Sequence, residues 1–580
     1  MFKPNPSAVR TLSRSFTCRQ IFSGARRRLH TRVQNVARPR TTTLFAAAAG
    51  IAAGVMVYQT VEFGKVVHAD ASPAVFQGPA SSLSLQHLQV EKALENPGVY
   101  VWGDNSGKVI APDSKEKVIK TPRRLKFFDG QLLRDLQLSQ DVGVAVNDKG
   151  DVLMWGNGYA PETKQPEPTL TGKNIEKVII SKDKIVALSK DKQVYTFPIS
   201  KSYQQEGLKP TETSWIPGRS STSDISYRII KPELGYLERI KDIAAGREHA
   251  LLLTSDGRVF SSAVAFTYPT RGQLGIPELT WTTRPTDKPV DTPHEITELK
   301  GKKVDQIAAG DYHSVVLTKD GEVYTFGDNV HGQLGFEYTP DTNFYGKPKL
   351  LLLTPLYPAS TAKVTNINAG GMNTYFEVDK TDNESGRSSS EVLSCGTGIH
   401  GNLGNGRWTH MQGTPTKIKA LSNMQEFDEA TNKVQPIRLR DLSAGATHCA
   451  ATMSTSTSSN EYGSDVLFWG NNEFYQLGTG KRNNSASPIY IQPLDGVPTE
   501  FAPKTEDAFT GSSNRADVGR ASGLISSLGN QDETGNARVT IGDQVHRFQV
   551  ANEGKVNGKG RAEQTVVCGR GNTAVYMKKV

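Results

Sequence analysis

Residues 304–335 read VDQIAAGDYHSVVLTKDGEVYTFGDNVHGQLG, and related segments recur along the chain. Close copies begin at Ile243 (IAAGREHALLLTSDGRVF) and Leu442 (LSAGATHCAATM), and a looser copy begins at Ile367 (INAGGMNTYFEV). Each copy joins short apolar runs through glycine-marked turns, which predicts strands connected by hairpins. Repeats of this size indicate a propeller or another repeat array.

Each position of the repeat has a predicted structural role. The Asp-Gly step ending at Gly321, and its equivalent at Gly257, is typical of a tight hairpin turn. An Ala-Gly pair precedes each second strand, where a small residue allows close backbone approach or a positive φ. These pairs end at Gly246, Gly310, Gly370 and Gly445. The aromatic residues that close the third strands should fill the space between neighbouring sheets; they include Trp102, Trp155, Phe326 and Trp469.

The two ends of the repeat region complete each other. Residues 566–576 contain the first half of a repeat, and the missing half, VYVWGDN, lies at 99–105. Degenerate copies at 136–155 and 178–197 bring the internal copies to six, and the composite adds one more. The sequence therefore predicts an all-β, seven-bladed β-propeller closed by its N- and C-terminal strands, which leaves few exposed sheet edges.

The combination of AGxxH, DGxVYxFG and GQLG at these spacings resembles the regulator-of-chromosome-condensation family from about residue 95 to 580. The resemblance implies one propeller with one repeat per blade. The layout of the whole chain also resembles a fungal mitochondrial inner-membrane member of the family that is implicated in the assembly of respiratory complex III.

The net charge of +9 is concentrated at the front of the chain. Residues 1–61 contain ten Lys and Arg and no Asp or Glu, so without them the net charge of residues 62–580 is −1. Charge therefore gives no reason to expect nucleic acid as a direct partner of the propeller. An Arg- and Ser-rich segment without acidic residues is typical of a mitochondrial transit peptide.

Composition and repeats together divide the chain. We predict a transit peptide and basic flank at 1–41, a transmembrane helix at 42–61, a linker at 62–94 and the propeller at 95–580. The stretch 44–61 is uncharged, which meets the length of a membrane span. The predicted location is the mitochondrial inner membrane, single-pass, with the side that the propeller occupies left open. Polar insertions near 198–234 and 497–564 are expected to be surface loops or disordered.

The sequence predicts no catalytic, cofactor-binding or metal-binding residues. His249, His313 and His448 recur at one repeat position, and a hydrogen bond within the repeat explains them without a metal ion. Three cysteines, Cys395, Cys449 and Cys568, lack CxxC spacing and are expected to be buried thiols. No partner-binding residue is predicted. The two insertions are candidates for partner contacts, with tolerated loop growth as the alternative.

The predicted function is a non-enzymatic, membrane-tethered mitochondrial scaffold or assembly factor, which the resemblance associates with complex III, the cytochrome bc1 complex. The partners expected are complex III subunits or assembly factors, and the inner membrane through one N-terminal helix. Two alternatives remain open. One is a guanine-nucleotide exchange factor or regulator of a mitochondrial GTPase, by analogy with the founding member of the family. The other is a partner in mitoribosome assembly or RNA maturation.

Overall fold

The repeats fold into antiparallel strands that form sheets around a common axis. The computed structural model describes residues 85–213, 220–340, 343–428, 432–454, 463–496, 547–556 and 560–580. Two α-helices lie in these ranges, α1 (Leu85–Glu95) and α2 (Lys201–Glu206). In this part of the chain no helix is long and apolar enough to cross a membrane. The predicted transit peptide and transmembrane helix, 1–41 and 42–61, lie outside the described residues.

The strands are short, and most of them end at glycine-containing turns. The first twelve are β1 (Val99–Asp104), β2 (Val118–Arg124), β3 (Leu133–Leu138), β4 (Gly143–Asn147), β5 (Val152–Trp155), β6 (Glu167–Pro168), β7 (Ile175–Ile180), β8 (Lys184–Ser189), β9 (Val194–Pro198), β10 (Thr211–Thr213), β11 (Ser220–Thr222) and β12 (Arg228–Ile230). The next twelve are β13 (Ile240–Ala245), β14 (His249–Thr254), β15 (Val259–Ala263), β16 (His294–Glu295), β17 (Val304–Ala309), β18 (His313–Thr318), β19 (Val323–Asp328), β20 (Phe344–Leu351), β21 (Ser360–Gly370), β22 (Asn373–Asp382), β23 (Ser388–Gly396) and β24 (Gln412–Lys417). The last are β25 (Gln425–Asp428), β26 (Lys433–Pro436), β27 (Leu439–Ala444), β28 (His448–Met453), β29 (Ser464–Gly470), β30 (Ser485–Ile489), β31 (Gln549–Val550), β32 (Gly554–Val556), β33 (Gly560–Cys568) and β34 (Asn572–Lys579).

Five sheets are separate from one another, and they are the individual blades of the structure. They are β7–β9 with β12, β13–β16, β17–β20, β21–β24, and β27–β30 with β31. A further sheet of nine strands combines β1–β6 with β32–β34, and the hairpins β10–β11 and β25–β26 stand alone. The prediction of a seven-bladed propeller is therefore wrong. The described residues form five separate blades, and the other strands of the ring merge into one continuous sheet.

The merger has a local cause in the length of β34. This strand pairs antiparallel with β1, where Trp102 lies opposite Thr573, and with β33 on its other side. Near its end, Lys578 also forms a parallel bridge with Leu133 of β3. That bridge joins two strand groups which the repeat pattern counts as separate units. The pattern did not predict this bridge, because it does not show how far β34 extends.

Two predicted loop regions contain regular structure. The insertion near 198–234 includes α2, the β10–β11 hairpin and β12, which is the fourth strand of the β7–β9 blade. The expectation of loops or disorder there is wrong for these segments. In the insertion near 497–564, residues 497–546 and 557–559 lie outside the described ranges, and β31, β32 and the start of β33 occupy the remainder. The last residues of the predicted linker belong to α1.

The sheets close into a ring through their innermost strands. Contacts run from β3 through β7, β13, β17 and β21 to β27, and β27 contacts β33, which contacts β3. The turns between first and second strands are also linked by backbone hydrogen bonds. The amide of Lys182 donates to Arg247, that of Arg247 to Asp311, and that of Asp311 to Gly371, at 2.9, 2.9 and 2.7 Å. The ring is therefore held at its axis by the main chain.

One ion pair spans the axis. The Arg570 guanidinium lies 2.8 and 2.9 Å from the two carboxylate oxygens of Asp311. Arg570 belongs to the turn between β33 and β34, and Asp311 to the turn between β17 and β18, which are not neighbours in the ring. Both contacts are made by Nη2, and hydrogen bonds between charged groups are stronger than neutral ones. The contact therefore ties opposite sides of the ring together.

The hydrophobic core lies between neighbouring sheets. One cluster brings Leu251 and Val259 of one blade against Val304, Val316 and Phe326 of the next, and all five side chains are buried. Alternation along each strand sends side chains to both faces of the sheet, so every blade contributes to two such layers. This arrangement requires the backbones of adjacent blades to approach closely near the axis.

We predict that Gly310→Ala lowers the free energy of unfolding by about 2–4 kcal/mol, since overpacking is costly in a filled interior. A Cβ at Gly310 would overlap the imidazole of His313 and lie 2.7 Å from the Gly371 carbonyl oxygen. Gly346→Ala is the control, because the nearest atom there is 3.5 Å away. Urea unfolding of both variants measures the difference. Equal stabilities would contradict this account of the close approach.

Candidate protein-interaction site

The three repeated histidines begin the second strands of their blades and are fully buried. His249 Nε2 lies 2.9 Å from the Ser314 hydroxyl of the following blade, and His313 Nε2 lies 2.9 Å from Thr374. His448 Nε2 lies 2.8 Å from Thr573 of the nine-stranded sheet. Each histidine therefore contacts the hydroxyl of the next unit around the ring.

The tautomer of each imidazole follows from the partner of that hydroxyl. Ser314 donates to the carbonyl of Gln273 at 3.0 Å, and Thr374 and Thr573 donate to Gln333 and Gln476 at 2.7 Å. A hydroxyl has one proton to donate, so it must accept from Nε2–H. The imidazoles are therefore neutral Nε2–H tautomers. Burial lowers the pKa of all three to about 3.

These histidines have the geometry of a structural contact. Their Nδ1 atoms are buried and have no hydrogen-bond partner among the described residues. In the described ranges no three His, Cys, Asp or Glu side chains come together as a group that could hold a metal ion. At the equivalent position, Asn373 donates to the Thr397 carbonyl and Asn572 donates to the Ser139 carbonyl, at 2.6 and 2.8 Å.

The closing aromatic residues bind the GQLG-like tail of the preceding repeat. The indole N–H of Trp102 donates to the Gln476 carbonyl at 2.8 Å, and that of Trp469 donates to Asn402 at 2.8 Å. Trp155 donates to the Val109 carbonyl at 2.7 Å. A buried indole N–H needs such an acceptor. Phe326, which has no donor, packs against Gly275 of the tail.

The predicted glycine positions divide into two physical classes. Gly257 and Gly321 lie in hairpin turns with φ of 83° and 90°, and Lys192 adopts φ of 63° where the repeat lacks its glycine. The Ala-Gly glycines are not in that region. A Cβ there would overlap backbone or imidazole atoms; the set is Gly246, Gly310, Gly370 and Gly445.

The loop face of the ring carries exposed aromatic side chains that the sequence reasoning did not identify. We define it by loops that follow third strands, at 199–213, 220–227, 264–293, 329–340 and 397–411. Tyr203, Phe266, Trp281 and Trp408 on these loops are each between 56% and 59% exposed. The available signal was their position: aromatic residues within polar inter-strand loops are seldom needed for packing.

Two of these aromatics border a groove of about 530 Å³, which we call the aromatic groove. Tyr203 of α2 and Phe266 meet edge to face, with ring centroids 5.8 Å apart. Phe197 and Tyr227 contribute further apolar surface, and Lys184 lies 5.2 Å from the Phe266 ring. The groove is therefore an apolar cleft with charged residues at its rim, a combination that suits a side chain from another protein.

The groove also has a fixed wall. Arg228 of β12 forms an ion pair with Asp291 at 2.9 Å, and the Asp291 side chain is only 7% exposed. The Phe266 amide donates to both carboxylate oxygens of Asp183 at 3.2 Å. These contacts hold β12 and the segment after β15 in place, so the cleft exists before any partner binds.

A family model described as an RCC1-like domain matches residues 98–514. The chain belongs to the RCC1-like domain family. The match covers the five separate blades apart from β31, together with β1–β6 of the nine-stranded sheet. The repeat residues described above are therefore elements of an RCC1-like domain.

Relatives of this RCC1-like domain include mitochondrial proteins. The chain is 26% identical over 446 residues to Protein FMP25, mitochondrial, of Saccharomyces cerevisiae, which covers 72% of this chain and 67% of that protein. It is 22% identical over 368 residues to RCC1 domain-containing protein RUG3, mitochondrial, of Arabidopsis thaliana, covering 62% and 73%. Among solved structures, human WBSCR16 is 17% identical with a TM-score of 0.51, covering 83% of this chain and 99% of that chain, which supports the fold.

Acid should destabilise this RCC1-like domain through its buried histidines. Their pKa is about 3 in the folded chain and about 6.5 in an unfolded one, so the unfolded state binds more protons between these values. Stability is therefore lost as pH falls below about 6.5, by up to about 1.4 kcal/mol per pH unit for each histidine. We expect His313→Asn to make this pH dependence shallower.

Urea unfolding at several pH values tests this expectation. The matched control is His410→Asn, because His410 is exposed. It should leave the slope of stability against pH unchanged. If His313→Asn and His410→Asn give the same slope as the parent chain, the buried imidazole is not a source of the acid sensitivity.

Proposed function

We propose that the chain is a non-enzymatic mitochondrial scaffold at the inner membrane, and that it binds client proteins through the loop face. The proposal rests on one contrast. The polar residues that recur in every clear repeat are engaged in contacts between blades, whereas aromatic side chains of the variable loops are exposed. Residues that hold the ring together are thus separate from those available to a partner.

The mitochondrial location is supported by two kinds of observation. The relatives FMP25 and RUG3 carry a mitochondrial designation in their names. Residues 1–41 contain Arg and Lys but no acidic residue, so we propose that they act as a transit peptide. The near-neutral charge of residues 62–580 favours proteins over nucleic acid as direct partners.

We further propose that the clients are subunits or assembly factors of respiratory complex III. This narrower assignment is supported by the resemblance of the chain's layout to a family member implicated in that process. The aromatic groove is the proposed contact, and its apolar floor would receive an exposed aliphatic or aromatic side chain of an unassembled client.

Affinity purification of the tagged full chain from gently solubilised mitochondria tests the assignment. We expect bc1 subunits or their assembly factors to be recovered, and Tyr203→Ser with Phe266→Ser to reduce their recovery about tenfold, as loss of an interface hot spot does. Leu208→Ser is the matched control, because Leu208 is 95% exposed in the same insertion and does not line the groove.

Two results would contradict the proposal in different ways. Recovery of a mitochondrial GTPase or of mitoribosomal proteins, without bc1 components, would show that the client is not complex III. Undiminished recovery of bc1 components by the double variant would exclude the aromatic groove as the contact. Normal amounts of mature bc1 complex in cells that lack the protein would also remove the complex III assignment.

A further inference from the structure

The connection between β12 and β13 exposes apolar side chains on a strained turn. Tyr236 is 95% exposed and Leu237 is 75% exposed. Leu237 has φ of 66°, a left-handed conformation that costs free energy for any residue other than glycine. Neither the exposure nor the strain contributes to packing of the ring, so the turn requires another explanation.

A buried carboxylate holds this turn in place. Glu238 accepts a hydrogen bond from the Gly235 amide at 2.7 Å, and Arg258 Nη1 lies 2.8 Å from the same oxygen. Arg258 also pairs with Glu295 at 2.5 Å. Although desolvation opposes it, hydrogen bonding from Gly235, Thr254 and Arg258 holds the pKa of Glu238 below its usual value. Tyr236 and Leu237 are therefore presented by a rigid base.

Two other connections on the same side of the ring also expose apolar residues. We define the connector face by three connections that lead from a fourth strand to the next first strand, at 231–239, at 352–359, and at 418–428 with 432–438. Leu352 is 63% exposed in the second of these. In the third, Phe427 and Val434 lie opposite each other on the β25–β26 hairpin and are 58% and 55% exposed.

The arrangement fits a flat apolar partner better than a compact one. The three exposed groups come from different connections around the ring. Exposed Lys231 and Arg239 flank the first group, and Glu233 is paired with Lys288 at 3.7 Å. In the third group exposed Lys433 adjoins Val434, whereas the half-buried Glu426 and Asp428 flank Phe427, so the charge there is mixed. Tyr and Leu with adjacent cations are typical of segments that enter a membrane interface.

The helix α1 follows residues 1–84 in the chain, packs against β31 and β32, and ends three residues before β1. Because β1 is antiparallel to β34, the second strand of its group, it begins on the connector face. The described part of the chain therefore enters the ring on this side. The sequence of residues 1–84 includes the uncharged stretch 44–61.

We infer that the connector face rests on a lipid bilayer, with Tyr236, Leu237 and Phe427 entering its interface. The loop face, with the aromatic groove, then points away from the bilayer toward soluble parts of a client. This inference rests on the proposed inner-membrane location, but it does not depend on which client the protein binds.

Site-specific fluorescence in the full chain tests the inference. Leu237→Cys, Phe427→Cys and the control Leu208→Cys are each labelled with an NBD fluorophore, in a Cys18→Ser background, because the other cysteines are buried. The proteins are mixed with phosphatidylcholine vesicles that contain cardiolipin and brominated lipid. We expect emission from positions 237 and 427 to shift to the blue and fall about twofold or more, since bromine quenches probes at interfacial depth.

Position 208 should show neither change, because Leu208 lies on the loop face. Since residues 1–84 are present in all three proteins, any membrane binding by that segment is the same in each. Quenching at 208, or at none of the positions while the chain floats with the vesicles, would overturn the inference. Failure of the chain to bind vesicles would also overturn the inference. A blue shift at position 237 that requires added mitochondrial protein and does not occur with lipid alone would overturn it as well. Client capture through Tyr203 and Phe266 is measured separately, so either proposal can fail without the other.

Discussion

A neutral imidazole that donates one hydrogen bond to a hydroxyl of the next sheet is the contact on which much of the ring depends. At each clear repeat it connects three units: a histidine, a Ser or Thr on the following sheet, and the carbonyl of the preceding loop tail. The contact is buried, so losing any member would leave a polar group without a partner. This explains why histidine, a small glycine and the GQLG-like tail recur together. The glycine leaves room for the imidazole, and the tail supplies the carbonyl that accepts from the hydroxyl.

Because these contacts lie near the axis and between the blades, the two flat sides of the ring are free to vary. The loops on one side include 264–293, which is far longer than a tight hairpin, and the connections on the other side include the eight residues 352–359 and a segment with its own hairpin. Variation of this kind does not disturb the core. The same ring can therefore carry two unrelated surfaces on opposite sides. One is the loop face with its aromatic groove, and the other is the connector face with its exposed apolar side chains.

The sequence predicted the parts of the fold that depend on local chemistry. Asp-Gly turns, buried closing tryptophans and small glycines at Gly246 and Gly310 could be interpreted because each has one physical role. It did not predict β12 or α1, since short outer strands and helices acquire their stability from tertiary contacts that no local pattern records. The sheet count was wrong for a similar reason: the bridge between Leu133 and Lys578 depends on how far a strand extends. The exposed aromatics were missed because burial, not composition, distinguishes Phe266 from Phe326.

The pairing of β1 with β34 has a consequence for the order of events in the cell. Val99 lies opposite Tyr576, so β1 finds its partner in β34 (Asn572–Lys579), which is far along the chain. A ribosome or a translocation pore therefore releases β1 long before β34. Until β34 emerges, β1 has an open edge with which other chains could pair. Holding chaperones should therefore be needed at residues 99–104 until β34 is available.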